Sequence, residues 1–507
     1  MAKAKKAPVD STATATATAT PGLLDDVLSQ VQATVPEDMI KVDTFTDPRT
    51  VEEKPRGEIV TAALYAFTSA ISQRETAVER LDKELIDNMI GAIDDTVSKQ
   101  LDQVLHHPKF QAMESAWRGL KFLVERTDFR QNVNLEMLDV SKEDMRHSFE
   151  DVPELTQAGL YKHVYQNAYD QPGADPYAAV ISNYEFDNSA EDISLLGELS
   201  KVAASAHCPF IGSVSPQFFG KPSMEEWKQI TDLKAWLGTA DYVKWRAFRQ
   251  TEDSRYIGLV LPRFMLRLPY GPDTHPVPSF NYTEAVKGPD HDNYLWGNAS
   301  FAFSSGLVNA FIDDGWCVQI RGPRSGGRID NLPVHVYDVG RGQEKKIPVE
   351  VSVDETLEYT CADLGFIPFS HYTDKDYACF FSANSAQEPQ IYEEEDATAN
   401  SRINSRLPYI FLASRIAHHL KVLQRENIGS TMDSQKIEEE LNDWIAKLVT
   451  KMTNPGPEQV VKYPLRDASV EVQELEDNPG YFRVGLKVIP HFQVEGMDVS
   501  LSLVGKI

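Results

Sequence analysis

The glycine-rich run "RGPRSGGRID" at residues 321–330 is the segment of this sequence that most suggests phosphate binding. The backbone N–H groups of such a loop can hold a phosphate when the loop joins a strand to a helix. A strand is predicted directly before it, at 316–320. The G-x-x-x-x-G-K-[ST] spacing is absent, however, and no helical pattern opens directly behind the run. We therefore favour a tight turn or an inter-subunit loop, whose basic candidates for a subunit contact are Arg321, Arg324 and Arg328.

Two pairs of adjacent histidines, His106-His107 and His418-His419, are the next candidates for chemistry. Neighbouring residues on a helix point about 100° apart, so one pair cannot easily ligate one metal ion. We interpret all four as helix-surface or capping residues. Neither G-x-S-x-G nor H-E-x-x-H occurs in the chain. The sequence therefore predicts no catalytic residue, no metal site and no cofactor.

The composition is that of a folded, acidic protein. The 507 residues suffice for two or three domains, and 42% hydrophobic residues are ordinary for a globular chain. A formal charge of −26 repels phosphate backbones and anionic lipid, which argues against nucleic acid and membrane insertion. Four widely spaced cysteines predict buried, reduced thiols. No apolar run approaches the roughly 18–20 residues of a membrane-spanning helix, so we expect a cytoplasmic protein.

The N-terminal quarter of the chain has the pattern of a tail, an arm and a helical bundle. Residues 1–22 include a run of alternating Thr and Ala that ends before Pro21. They offer nothing large to bury and predict a disordered tail. Residues 23–58 predict a linker arm with one strand-sized segment at 38–45, which has no sequence neighbour to pair with. Residues 59–132 carry apolar residues at three- and four-residue steps and predict a helical hairpin or bundle. Its apolar stripe, which includes Trp117, is interpreted as core or subunit contact.

Residues 133–391 alternate short apolar strands with helices, which is typical of an α/β layer with a mostly parallel or mixed sheet. Helices are predicted at 190–207 and 223–237. The predicted strands are 134–140, 177–182, 209–214, 256–261, 316–320 and 366–370.

Residues 392–507 predict a separate domain of two helices and a sheet. The helices are predicted at 406–425 and 433–452. A β-hairpin follows, made of 468–475 and the run that starts at 481, and then a terminal strand at 497–503 that alternates strictly. An apolar strand with a free edge recruits other strands. The fold class expected for the whole chain is therefore mixed α/β and α+β, with strands left over for pairing between chains.

The helix at 433–452 has a clustered charge pattern that supports two interpretations. Glu438, Glu439 and Asp443 lie early, and Lys447 and Lys451 lie late. Acids near the N-terminus and lysines near the C-terminus suit the helix dipole. An acidic first half would equally suit docking on a basic surface, and both interpretations stay open at this stage.

Three stretches together resemble one protein family. They are "LHHPKFQAMESAWRGLKFLVE" (105–125), "NYLWGNASFAF…DDGWCVQIRGPRSGGRIDNLP" (293–333), and "LPYIFLASRIAHHLKVLQRENIG" (407–429) with "IPHFQVEGMDVSLSLV" (489–504). The chain resembles the large subunit of the type VI secretion contractile sheath, the TssC or VipB family, from about Val51 to the C-terminus. The resemblance implies a structural protein with a phage-tail-sheath-like fold.

The resemblance also implies a set of partners. In that family the large subunit pairs with a small sheath subunit (TssB/VipA), and the heterodimers form a helical polymer around the Hcp inner tube. The polymer stands on a baseplate in the cytoplasm, and contraction propels the tube into a target cell. A ClpV-type AAA+ ATPase then dismantles the contracted sheath. No nucleotide site is evident in this sequence, so we expect the energy for contraction to be stored in the extended assembly.

In that family, neighbouring subunits share strands in a handshake sheet, which implies roles for the two unpaired strand regions here. The N-terminal arm would donate a strand through Ile40, Val42, Thr44 and Phe45. The helix with Glu438, Glu439, Asp443, Lys447 and Lys451 would be a candidate to face the tube. The C-terminal sheet that accepts strands would comprise Val470, Val472, Phe482, Val484, Leu486, Val488, Phe492, Val499, Leu501 and Leu503.

Two alternatives stay open on the sequence. A phage-like tail or bacteriocin sheath is typically built from one polypeptide, so dependence on a second, small subunit separates it from the type VI assembly. A cytosolic α/β enzyme with an undetected carboxylate site fits the middle section, but it gives the unpaired strands no purpose.

Overall fold

The computed structural model describes residues 83–491 except 287, 289, 430–432, 451, 453–454 and 475–481. The described residues form two compact units, 83–114 with 269–293 and 115–268 with 294–491. The predicted tail, the arm with its strand at 38–45, and the predicted terminal strand at 497–503 lie outside the described residues.

The first unit is built on helix α1 (Lys83–Leu105) and the segment 269–293. Their contacts involve the last turns of α1. The Asp102 carboxylate accepts hydrogen bonds from the Tyr282 hydroxyl (2.7 Å) and the Ala285 N–H (3.2 Å). His106 Nε2 lies 3.1 Å from a carboxylate oxygen of the buried Glu284. Helix α2 (Pro108–Glu125) begins at a proline, which suits a first helical position.

The second unit begins within α2 and contains a six-stranded sheet. At Gly119 of α2 a Cβ would lie 2.5 Å from the Phe301 ring, so glycine permits this close contact. The first elements after α2 are α3 (Lys142–Glu150), α4 (Gly159–Tyr161, continued by a π-helix at Lys162–Asp170), β1 (Val180–Phe186), α5 (Ala190–Ala206), β2 (Phe210–Val214), α6 (Met224–Lys228), α7 (Leu233–Leu237), α8 (Val243–Arg249), β3 (Ile257–Leu261) and β4 (Phe264–Met265). The next elements are β5 (Trp296–Gly297), α9 (Ala299–Asp314), β6 (Arg328–Ile329), β7 (His335–Asp338), β8 (Gln343–Lys346), α10 (Glu355–Asp363), β9 (Ile367–His371) and β10 (Ala378–Phe380).

The six strands lie in the order β1-β2-β3-β9-β10-β6. The first four are parallel, with Phe210 of β2 opposite both Val180 of β1 and Ile257 of β3. Strand β10 runs antiparallel to β9 and to β6. Helices α5 and α9 pack against these strands, and every residue of β2 and β3 is buried. Continuous apolar runs between helices are the pattern of parallel strands that are covered on both faces.

The C-terminal region of the second unit has helices and one hairpin. Its elements are α11 (Glu395–Asn404), α12 (Leu407–Glu426), α13 (Ser434–Ile445), α14 (Pro457–Lys462), β11 (Leu465–Glu474) and β12 (Phe482–Pro490). Strands β11 and β12 pair antiparallel. The hairpin, α12 and α13 share a small hydrophobic core that is distinct from the core of the six-stranded sheet.

Most predicted strands and helices are confirmed. The strands at 177–182, 209–214, 256–261 and 366–370 correspond to β1, β2, β3 and β9 with small shifts. The predicted helices at 190–207 and 406–425 and the C-terminal hairpin are also present. The mixed fold class is confirmed.

Two predicted strands are wrong. Residues 134–140 lie outside regular structure, with Met137 exposed and the Val140 carbonyl accepting a hydrogen bond from the Tyr184 hydroxyl. Residues 316–320 form a turn and an irregular segment, and one of their carbonyls bonds to the glycine-rich run. The Gly326 N–H donates to the Gln319 carbonyl at 2.8 Å.

Two predicted helices are shorter than expected. The helix at 223–237 divides into α6 and α7 because the Asp232 side chain caps α7 by accepting from the Ala235 N–H. The helix at 433–452 ends at Ile445 and is followed by a 3₁₀ turn at Ala446–Leu448. Thr450 then donates its N–H to the Leu465 carbonyl at the start of β11, which removes it from the helix.

Candidate functional site

The glycine-rich run at 321–330 is a packed turn. The N–H of Gly322 donates to the Phe380 carbonyl (2.7 Å), and the N–H of Gly326 is bonded within the turn, as described above. A Cβ at Gly306 of α9 would overlap the carbonyl oxygen of Gly326. The glycines therefore serve close packing of the turn against α9, and these two N–H groups are not directed at a phosphate.

The three arginines of this turn have different surroundings. Arg321 is buried, whereas Arg324 and Arg328 are exposed. The Arg328 Nε–H donates to an Asp330 carboxylate oxygen (2.6 Å), and its guanidinium lies 4.1 Å from the centroid of the Tyr377 ring. The structure therefore leaves two of the three on the surface for a subunit contact, which stays a prediction.

The surface interpretation is wrong for His418. It lies on the inner face of α12, only 3% exposed, and its Nε2–H donates to the Ala206 carbonyl at 2.9 Å. Burial lowers the pKa of His418 to about 4, so the imidazole is neutral at physiological pH. His419 is half-buried, with its ring centroid 5.8 Å from that of Trp444.

The cysteines have the character expected of unreactive thiols. All four are free; Cys208, Cys361 and Cys379 are buried, and Cys317 is partly buried. Burial raises the pKa of the Cys317 and Cys379 thiols to about 12. Thiolate is the nucleophilic form, so these two are inert at neutral pH.

The described residues offer neither a metal-ligand cluster nor a membrane-spanning helix. They contain no group of three or more His, Cys, Asp or Glu residues that could hold a metal ion. Within the same ranges, every helix is too short or too polar to cross a bilayer.

The C-terminal hairpin has an inner, apolar face. Val470 and Val472 of β11 are buried and share a core with Ile437, Leu441 and Ile445 of α13. On β12 the side chains of the same face are only half-buried; they are Phe482, Val484, Leu486 and Val488. The alternation predicted from the sequence is therefore present, with the apolar face more fully covered on β11 than on β12.

The apolar face of β12 borders a cleft of about 780 Å³. The other walls include Tyr169 and Lys421, whose ammonium group lies 3.6 Å from the centroid of the Tyr169 ring. Lys421 is also ion-paired with Asp170 (2.9 Å). The charge of Lys421 is therefore already matched by a neighbouring carboxylate.

Two polar side chains of α13 reach the outer edge of β11. The Asn442 amide donates to the Val470 carbonyl (2.7 Å) and accepts from the Val470 N–H (2.9 Å). A carboxylate oxygen of Glu438 accepts from the Val472 N–H (2.9 Å). Sequence reasoning missed this role because it treated Glu438 only as a charge. The i,i+4 spacing of Glu438 and Asn442 beside the apolar Leu441 was the available signal.

The outer edge of β12 has outward-pointing N–H and C=O groups without a backbone partner among the described residues. Both backbone groups of Val470 point away from β12, so Val470 and its partner Leu486 form a non-hydrogen-bonded pair. By the period of two, the backbone groups of Val484 and Val488 also point outward. Among the described residues, no backbone partner is found for these outward groups. Within the described ranges, the outer edge of β12 is therefore unpaired.

The five charged residues predicted to face the tube have different surroundings. Glu438 of α13 is directed to β11, whereas Glu439 and Asp443 of α13 and Lys447 of the following 3₁₀ turn are exposed. Lys451 lies outside the described residues. Contact of the exposed three with a partner stays a prediction.

Apolar side chains lie exposed on both N-terminal helices. On α1, Ile90, Ile93 and Val97 are 49%, 49% and 40% exposed and share one face at helical spacing. On α2, Trp117 is 61% exposed. A contact of these exposed side chains with a partner stays a prediction.

Several predicted site residues cannot be placed. Those of the arm, and those beyond the hairpin, lie outside the described residues; they are Ile40, Val42, Thr44, Phe45, Phe492, Val499, Leu501 and Leu503.

Comparison with known proteins identifies the family. Residues 87–387 match the family described as "EvpB/VC_A0108, tail sheath N-terminal domain", and residues 396–507 match "EvpB/VC_A0108, tail sheath gpW/gp25-like domain". The type VI secretion system sheath protein TssC1 of Pseudomonas aeruginosa is 37% identical over 459 residues, which cover 90% of this chain and 92% of that protein.

Solved structures of contractile injection machines are more distant. The contracted sheath of an extracellular contractile injection system (PVC) is 9% identical, with a TM-score of 0.37 over 65% of this chain and 72% of that one. The contracted helical sheath of the anti-feeding prophage is 10% identical, with a TM-score of 0.33 over 69% and 82%. The sequence matches carry the assignment and confirm the resemblance: the chain belongs to the VipB/EvpB family of tail sheath proteins, to which type VI secretion sheath protein TssC1 is related.

Proposed function

We propose that this chain is the structural large subunit of a type VI secretion contractile sheath. It pairs with a small sheath subunit of the TssB/VipA type and polymerises in the cytoplasm, on a baseplate and around an Hcp tube. Contraction propels the tube, and a ClpV-type ATPase recycles the subunits. The role is mechanical, so we propose no catalytic residue and no cofactor.

The open edge of β12 is the observation that carries this proposal. Main-chain groups on a free edge give affinity for an added strand, and alternating side chains fix its register. The segment 38–45 of another copy is the proposed strand, since Ile40, Val42 and Thr44 would continue the apolar face. About six backbone hydrogen bonds at a net ~0.5–1.5 kcal/mol each would contribute roughly 3–9 kcal/mol per junction.

The exposed stripe of α1 is the proposed contact with the small subunit. A helix of 23 residues is roughly 35 Å long, and Ile90, Ile93 and Val97 follow one another along its side. An amphipathic helix from a partner would bury such a stripe. This supports a division of labour in which residues 59–132 meet the small subunit and residues 133–391 form the outer domain.

Residues 392–507 are then the tube-facing domain, with the exposed acids of α13 as the proposed contact. Charge reversal by Glu439→Lys and Asp443→Lys is expected to weaken tube-templated assembly. The matched control is Glu225→Lys with Asp241→Lys on the middle domain. Equal yields of tube-filled sheath from both variants, counted by electron microscopy, would refute the tube contact.

Co-expression and negative-stain electron microscopy test the proposal as a whole. The chain expressed with its small subunit should form long hollow tubes, and the chain alone should not. Deletion of residues 38–45 should abolish the tubes. Tubes from the chain alone would indicate a one-component tail sheath. Monodisperse particles in both cases would refute assembly into a sheath and favour the alternative of a cytosolic α/β enzyme.

A further inference from the structure

The two edges of the C-terminal hairpin differ in how their backbone groups are used. On β11 the outward N–H groups of three alternate residues all have side-chain acceptors. The Ala468 N–H donates to Asp467 (3.0 Å), the Val470 N–H to Asn442, and the Val472 N–H to Glu438. At the start of the strand, the Leu465 carbonyl accepts from the Thr450 N–H at 2.9 Å. At the outer edge of β11, these three N–H groups and the carbonyls of Leu465 and Val470 are thus already hydrogen-bonded.

The contact made by Asn442 imitates an added strand. Its primary amide gives one donor and one acceptor to the same residue, Val470, as a neighbouring strand would. Glu438 lies one turn earlier on α13 and supplies an acceptor two residues further along β11. Two helix residues four positions apart therefore reach two strand residues two positions apart. Both side chains are anchored, since Ile437 and Leu441 beside them are buried in the hairpin core.

We infer that α13 closes the β11 edge through Glu438 and Asn442, so that strands from neighbouring subunits join this sheet at the β12 edge alone. This inference rests on the strand exchange proposed above and gives it a direction. A strand that added to β11 would first have to displace α13 and leave the Asn442 amide and the Glu438 carboxylate without partners. Unsatisfied polar groups of this kind are costly where they stay buried.

The closed edge has a second consequence, for the chain before assembly. A free β-strand edge pairs with any available strand, and natural proteins cover or charge such edges to prevent it. Because side chains of α13 bond to the edge of β11, the hairpin of an unassembled subunit has one edge that can pair with another strand. A hairpin without such side chains would have two. Two reactive edges would permit chains of hairpins to grow from both sides.

Hydrogen–deuterium exchange on the full-length chain, alone and in sheaths assembled with the small subunit, tests the inference. In the wild type, peptides from β12 should exchange more slowly after assembly, while peptides from β11 keep the rate they had before. In the double variant Glu438→Ala with Asn442→Ala, β11 peptides of the free chain should exchange roughly fivefold faster than in the wild type. The control variant Glu439→Ala with Asp443→Ala has the same spacing on the exposed face and should leave that rate unchanged.

Two results would overturn the inference. One is a β11 that slows on assembly as much as β12 does. The other is a double variant whose β11 exchanges at the control rate in the free chain. Failure of the wild type to form sheaths would instead count against the proposed function, and the free-chain comparison would still decide whether Glu438 and Asn442 close the edge.

Discussion

The six-stranded sheet and the C-terminal hairpin bury their strands to very different degrees. In the sheet, all residues of β2 and β3 are buried, and Phe369 of β9 stacks on Phe380 of β10 with ring centroids 4.4 Å apart. In the hairpin, β12 alternates half-buried and exposed residues along most of its length. The first region completes its core within one chain. The second has an apolar face and a strand edge that are only partly covered by the described residues.

This difference in burial suits the two regions to different tasks, the six-stranded sheet to rigidity and the hairpin to pairing with further strands. A core that is complete in one chain can move as a rigid body when subunits rearrange. A two-stranded hairpin is marginal alone and gains stability from further strands. In the sheath proposed above, contraction would require subunits to shift while remaining joined, and junctions made by strand pairing on tethers would permit this shift.

The largest effect is expected from a proline at the β12 edge. Val484→Pro removes an N–H that points away from β11, so the hairpin keeps its own hydrogen bonds while the edge loses a donor. We expect loss of sheath tubes in electron micrographs with the chain still soluble and folded. Val484→Thr keeps the N–H and the β-branched shape and should still assemble. Normal tubes from the proline variant would show that this edge is not a junction.

A cavity in the six-stranded sheet should lower the stability of the free chain, which the proline in β12 should not do. Phe369→Ala removes a fully buried ring and should lower the free energy of unfolding by about 3–5 kcal/mol. The more exposed neighbour Phe381 provides the control, because Phe381→Ala should cost far less. Chemical denaturation of the free chain measures both. A similarly small loss of unfolding free energy in the two variants would contradict a core that is complete within one chain.

The stripe on α1 should affect pairing with little effect on folding. Replacement of Ile90, Ile93 and Val97 by Ser removes apolar area that we propose is buried on the small subunit, and should weaken binding at least about tenfold. The control replaces the exposed Asp95 and Lys99, on the other side of the helix, by Ser. Titration of the small subunit by light scattering compares them, and equal affinities would place the contact elsewhere.

His418 links the two regions, and its effect should be the smallest. Its pKa is 6.5 in the unfolded chain and about 4 when folded, so its contribution to stability is complete above pH 6.5 and is lost as the pH falls towards 4. Between pH 7 and 5 the loss is about 2 kcal/mol. Burial also lowers the pKa of His207, which adds loss in the same direction.

Thermal unfolding at the two pH values measures this effect. His418→Asn should flatten the pH dependence, whereas His147→Asn, at an exposed position, should retain the wild-type dependence. An unchanged dependence in the His418 variant would mean that the imidazole does not carry the linkage.

The sequence predicted what depends on local periodicity. Continuous apolar runs identified β2, β3 and β9, and strict alternation identified the faces of the hairpin. The segments at 134–140 and 316–320 have apolar strand composition too, but whether a strand forms depends on a partner in space, which no local pattern encodes. The contacts of Glu438 and Asn442 with β11 were not predicted, for the same reason. A charge pattern along a helix gives no information about which strand edge lies opposite.

In the proposed sheath, neighbouring subunits complete the hairpin and leave the middle sheet as it is. Hydrogen–deuterium exchange before and after sheath assembly, compared between β2 and β12, measures this difference. We expect β12 amides to exchange at least about tenfold more slowly in the sheath, with no change in β2. Equal slowing in both strands, or none in β12, would contradict the claim.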